Sequence, residues 1–159
     1  DAVISKAHYN GITIDESIQR MLFDEKVTTT PNNVTEYVNT WKNHVISWYS
    51  FKDVPRLFIR YEDMINKIEM VISQLFEFIN ENSTYEIKDN QHLKSNILKT
   101  TDFKKLQNTE KTKGFVEKSE YAPFFRSGKS QQWKTVLTKK QIGLIEKNLM
   151  ETMRHLNYI

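Results

Sequence analysis

Leu57-Phe58-Ile59-Arg60-Tyr61-Glu62-Asp63-Met64 is the stretch on which the reading of this chain turns. Three consecutive apolar residues behind Arg56 suit a short strand over residues 56–61, covered on both faces as in a parallel sheet. Glu62-Asp63 then leads into a helix on which Ile65, Ile68, Val71, Ile72, Leu75, Phe76 and Ile79 recur at three-and-four spacing. A strand end that feeds a helix is where open α/β sheets place ligands. The expectation is an α/β fold, helix-rich, with about one strand. A buried strand needs neighbours for its N–H and C=O groups, so this one would pair with sequence outside the chain or with a second copy.

Outward from that segment the pattern is helical. Residues 2–9 mix apolar and polar positions in a way that suits a helix. Ile14, Ile18, Met21, Leu22 and Phe23 follow near helical spacing, with Asp15 and Glu16 in a first turn. Thr28-Thr29-Thr30-Pro31-Asn32-Asn33 reads as a loop, and residues 35–49 as a helix with Val38, Trp41, Val45, Trp48 and Tyr49 on one stripe. Asp53-Val54-Pro55 breaks it. Shorter helices are expected over residues 90–98 and 103–110. Residues 111–132 show little periodicity and read as a long ordered loop, uncommon unless functional. Thr138-Lys139-Lys140-Gln141 has capping-box spacing ahead of a last helix carrying Ile142, Ile145, Leu149, Met153 and Leu156.

Composition narrows the classes. The 159 residues are 38% apolar and 27% charged, with nine Phe, seven Tyr and three Trp to build a core, so the chain reads as soluble and globular. No apolar run approaches the roughly 20 residues needed to cross a bilayer. A formal charge of +3 without a dense basic block gives no case for nucleic acid. Cysteine is absent, which excludes disulfides and thiolate chemistry, and His8, His44, His92 and His155 lack metal-binding spacing. No metal site is expected. The chain opens on Asp1 with no signal peptide, and reads as a cut through a longer sequence.

Three spots have the composition of a binding site. Tyr61-Glu62-Asp63 sits at the strand-to-helix junction. Thr100-Thr101-Asp102-Phe103 puts hydroxyls and an aromatic ring at a helix entry, where free N–H groups can face an anion. Phe124-Phe125-Arg126-Ser127-Gly128-Lys129 places a guanidinium beside a glycine that allows close backbone approach. Each also has a plain reading: acidic residues complementing a helix terminus, an N-cap at Thr101 or Asp102, and solvated loop charges.

The order and spacing of these pieces resemble the PAPS-dependent sulfotransferases of the cytosolic, small-molecule type (PAPS is 3′-phosphoadenosine 5′-phosphosulfate). The matching blocks are DAVIS at residues 1–5, W-x-x-HV-x-x-W at 41–48, LFIRYEDM at 57–64, LFEFIN at 75–80, TDFKKLQ at 101–107 and FFRSGKSQQWK at 124–134. The resemblance spans almost the whole chain and implies that residues 1–159 are the C-terminal part of one sulfotransferase domain, with a P-loop-NTPase-like three-layer α/β fold and a cytoplasmic location. It implies an enzyme that moves a sulfuryl group from PAPS to a hydroxyl or amine of a small-molecule acceptor, with the acceptor's histidine base and the phosphosulfate loop upstream of Asp1. No catalytic residue then falls in this chain, and the isolated 159 residues would be inactive. What would fall here is grip on the nucleotide. Ser5, Arg126, Ser127 and Gly128 match the positions that hold the 3′-phosphate, while Tyr61, Thr101 and Phe103 match those lining the adenine pocket.

The chain departs from the family pattern in places. The family usually has Lys where Ser127 stands, and many relatives have Gly-Asp where this chain has Gln131-Gln132 ahead of Trp133. Of the dimerisation motif K-x-x-x-T-V-x-x-x-E, Lys134 and Thr138 fit, but Lys139 and Gly143 replace Val and Glu, so that dimer is not expected. Two other readings stand beside this one: a P-loop kinase-like nucleotide-dependent transferase, and a non-catalytic helical fragment or interaction module.

Overall fold

Asp1 starts the first helix of a computed structural model that describes residues 1–24, 27–29, 34–36 and 39–159. Helix α1 (Ala2–Asn10) ends at Gly11, whose left-handed backbone, φ 61°, lets its N–H cap the carbonyls of Ala7 and His8. Helix α2 (Ile14–Phe23) begins at a full capping box: the Thr13 hydroxyl accepts from Glu16 N, and the Glu16 carboxylate accepts from Thr13 N at 2.8 Å. Those bonds to Thr13, with help from Arg20, hold the Glu16 carboxyl below its ordinary pKa. Two short strands, β1 (Val27–Thr29) and β2 (Val34–Glu36), pair antiparallel, Val27 opposite Glu36. Residues 30–33 of the expected loop lie outside the described residues.

The chain then continues through α3 (Trp41–Ser50), α4 (Tyr61–Asn66), α5 (Ile68–Asn82), α6 (Gln91–Thr100), α7 (Phe103–Lys113), the single turn α8 (Trp133–Val136) and α9 (Lys139–His155). The expected capping box of α9 is present: Thr138 accepts from Gln141 N, and Gln141 accepts from Thr138 N. These elements form two compact units. One comprises residues 1–53 and 131–159, the other residues 54–130.

The first unit has an apolar centre. Val3 and Ile4 of α1, Ile18 and Leu22 of α2, and Leu149 of α9 form one buried cluster, with Trp41, Leu144 and Ile145 packed on it. Each fully buried Ile is worth roughly 1.5–3 kcal/mol relative to exposure. Ser17, also fully buried, donates its hydroxyl to Val3 O at 2.8 Å and so ties α2 to α1 without an orphaned polar atom. In the second unit Val71, Ile72 and Phe76 of α5 are buried, and Lys94 of α6 reaches Ser73 (2.7 Å) and Asp89 (2.8 Å).

The fold class differs from expectation. Residues 56–61 form no strand, and among the described residues the only sheet is the β1–β2 ribbon. The three-layer, P-loop-NTPase-like α/β reading is therefore corrected to a helical fold with that one ribbon. A strand exists through its ladder, and no second extended segment in the described residues pairs with Leu57-Phe58-Ile59, whose Phe58 and Ile59 are 47% and 37% exposed. Instead the Arg60 carbonyl accepts from Asp63 N and Met64 N, both at 3.1 Å, and α4 starts at Tyr61 with Glu62 and Asp63 in its first turn.

Two helical stripes also differ. The expected continuous helix is interrupted at Lys67 (φ −142°, ψ 42°), so Ile65 belongs to α4 and the buried stripe starts on α5. Helix α3 starts at Trp41 rather than near residue 35; Val38 lies outside the described residues, and Trp48 and Tyr49 are exposed.

Candidate functional site

Helix α7 and the irregular segment after it build the site in the second unit. Thr101 closes α6, its N–H donating to Ile97 O, and its hydroxyl also donates to Ile97 O at 2.8 Å. That hydroxyl still has lone pairs with which to accept a bond. Asp102 is the N-cap of α7, accepting from Lys105 N at 2.8 Å, which settles the choice between Thr101 and Asp102. Phe103, the first residue of α7, is half-buried.

On α7 the positions Phe103, Leu106, Gln107 and Glu110 follow three-and-four spacing, so they share one face. Two of them are polar and grip backbone. Glu110, 6% exposed, accepts from Phe124 N at 2.7 Å through Oε1 and from Phe125 N at 3.0 Å through Oε2. Gln107 Nε2 donates to Phe125 O at 2.8 Å. Arg126 N donates to Phe124 O at 3.0 Å, which tightens the turn there. Aromatic packing completes the support: Phe115, Phe124 and Phe125 have ring centroids 4.9–5.1 Å apart, and Phe103 meets Phe125 edge-on at 6.2 Å.

The loop then reaches Gly128, at φ 60°. A Cβ placed there would lie 2.7 Å from Phe103 Cδ2, so the glycine is required both by its backbone angle and by the ring against it. The amides of Phe124, Phe125 and Arg126 are all engaged. Those of Ser127 and Gly128 have no protein partner among the described residues. Two successive donors beside a half-buried guanidinium are groups suited to an anion.

The structure thus brings Phe103, Arg126, Ser127 and Gly128 into one neighbourhood, with Thr101 two residues from Phe103. Tyr61 opens α4 with its side chain 46% exposed. Ser5 belongs to the other unit, on the exposed side of α1 between the buried Ile4 and Ala7. In that unit a hollow of about 120 Å³ is lined by Lys6, Arg20, Trp41 and His44 among others, and the exposed His44 meets Trp48 edge-on at 6.4 Å. His8 is exposed on α1. No group of acidic or His side chains that could hold a metal occurs among the described residues, and none of their helices is long and apolar enough to cross a membrane.

Sequence reasoning missed Glu110 and Gln107. The signal was present: a carboxylate and an amide on the inward stripe of an otherwise solvated helix.

Comparison with known proteins gives the geometry a context. A family model described as sulfotransferase domain matches residues 1–157. The chain is 26% identical to flavonol 3-sulfotransferase of Flaveria bidentis over 161 residues, covering 96% of this chain and 51% of that protein. It is 30% identical over 121 residues to sulfotransferase 1E1 of Cavia porcellus, covering 72% and 39% respectively. It is 24% identical over 158 residues to cytosolic sulfotransferase 1 of Arabidopsis thaliana, covering 97% and 47%. The chain spans about half, or less, of the length of these curated relatives.

Proposed function

This chain belongs to the sulfotransferase domain family, and from that premise we propose that it is a non-catalytic, helical, nucleotide-gripping portion of such an enzyme, its C-terminal part. PAPS, when bound, supplies the sulfuryl group, and the residues named here hold its 3′-phosphoadenosine end. Arg126 with the amides of Ser127 and Gly128 takes the 3′-phosphate. Phe103 and Tyr61 offer ring faces to adenine, and Thr101 offers an acceptor to its edge. The acceptor is a small molecule with a hydroxyl or amine, and its deprotonation belongs to groups other than these.

The observation that supports this reading is the pair of unpartnered amides of Ser127 and Gly128 directly after Arg126, next to three amides, those of Phe124, Phe125 and Arg126, that are engaged. Such a loop spends no reorganisation on meeting an anion. The helical fold, without a parallel sheet among the described residues, favours binding over chemistry for this segment. It also removes the support for a kinase-like reading, which rested on a shared α/β architecture.

The test is titration of the full-length protein with PAP, the desulfonated nucleotide. Arg126→Ala removes charge-assisted bonds worth roughly 1.5–3 kcal/mol and so weakens PAP about tenfold or more by calorimetry. Equal affinities would take Arg126 out of the site. A second reading, a helical module that binds no nucleotide, is favoured by the same lack of a parallel sheet. It predicts no rise in melting temperature with PAP, whereas a nucleotide binder is stabilised by mass action.

A further inference from the structure

Glu110 is an expensive residue to keep where it stands. Its carboxylate is almost fully buried and, among the described residues, in no ion pair, so its charge is offset by hydrogen bonds alone. Both oxygens are used, on two consecutive amides, Phe124 N and Phe125 N. Gln107, one turn earlier on the same face, fixes the carbonyl of Phe125. Three neighbouring backbone groups are therefore pinned to one rigid helix, immediately before the residue that carries the guanidinium.

The Phe115–Phe124–Phe125 cluster could anchor the loop by apolar contact alone, and rings do not dictate where amides point. Hydrogen bonds do. With Phe124 N and Phe125 N turned onto α7 and Arg126 N closed on Phe124 O, the next donors in the chain are Ser127 N and Gly128 N. The carboxylate thus determines which amides are consumed and which remain.

We propose that Glu110, seconded by Gln107, is a positioning residue: it fixes the backbone of residues 124–126 so that the amides of Ser127 and Gly128 stand ready for a phosphate. The inference rests on the nucleotide-binding reading above and deepens it. Neither residue touches the ligand; both act through the loop.

The experiment compares PAP with adenosine 5′-monophosphate, which has the same base and ribose but no 3′-phosphate. In the full-length protein, Glu110→Ala lowers PAP affinity about tenfold and adenosine monophosphate affinity less than about twofold, since only the phosphate contact depends on the loop's amides. Glu110→Gln keeps one acceptor and restores part of the loss, and Gln107→Ala costs about threefold on the same scale. These two milder variants carry the test should Glu110→Ala not fold. Equal loss for both nucleotides would mean a merely structural role and would overturn the proposal, as would PAP binding unaffected by any of the three. A wild-type protein that binds no PAP would instead sink the nucleotide reading. The clamp then stands or falls on amide hydrogen exchange, where Glu110→Ala must deprotect Phe124 and Phe125.

Discussion

Two carboxylates in this molecule do the same job in different surroundings. Asp1, at the start of α1, accepts from Gln131 N at 2.5 Å and Trp133 N at 2.9 Å; Glu110, on α7, accepts from Phe124 N and Phe125 N. Asp1 is half-exposed and beside an apolar cluster that already holds its unit together, whereas Glu110 is buried and its loop has few buried apolar residues beyond Ala122. The contrast teaches where a hydrogen bond matters. Lost at the surface, its partners turn to water; lost in the interior, they are left unsatisfied.

Mutations probe that contrast, the largest effect first. Glu110→Ala orphans two part-buried amides and should cost about 2–3 kcal/mol in chemical denaturation, at one to three per unsatisfied group. Gly128→Ala presses a Cβ into the Phe103 ring from a left-handed backbone, and we expect a loss of about 2 kcal/mol with weakened nucleotide binding. Asp1→Ala exposes its two amides to solvent, so the same assay should show about 1 kcal/mol or less. An equal cost for Asp1 and Glu110 would break the comparison. Gln131, at φ 61°, occupies a left-handed position that glycine adopts without strain. Gln131→Gly relieves strain of roughly 1–2 kcal/mol but forfeits the bond from Lys134 Nζ to Gln131 Oε1, so a net gain below about 1 kcal/mol is expected in the melting curve. A destabilised Gln131→Gly would mean that the side chain, not the backbone angle, governs this turn.

What was legible in the sequence follows the same division. Periodic apolar positions read true where a partner covers them: Ile18 and Leu22 on α2, Val71, Ile72 and Phe76 on α5, Leu149 on α9. Local capping chemistry read true as well, as at Thr138. Leu57-Phe58-Ile59 misled because three apolar residues in a row state a preference for burial, not the presence of a ladder partner. Trp48 and Tyr49 misled for the same reason, since a stripe cannot report whether anything packs on it. Among the site residues, Phe103 lies against Gly128 and meets Phe125 edge-on. Glu110 escaped because a carboxylate on a solvated helix such as α7 normally faces water, and only the loop 14 and 15 residues further along gives it a task.

The most direct test is a crystal structure of the full-length protein with PAP. The account predicts the 3′-phosphate within hydrogen-bond reach of the Arg126 guanidinium and the amides of Ser127 and Gly128. A phosphate seated elsewhere, with those amides turned away from it, would contradict the assignment at its root.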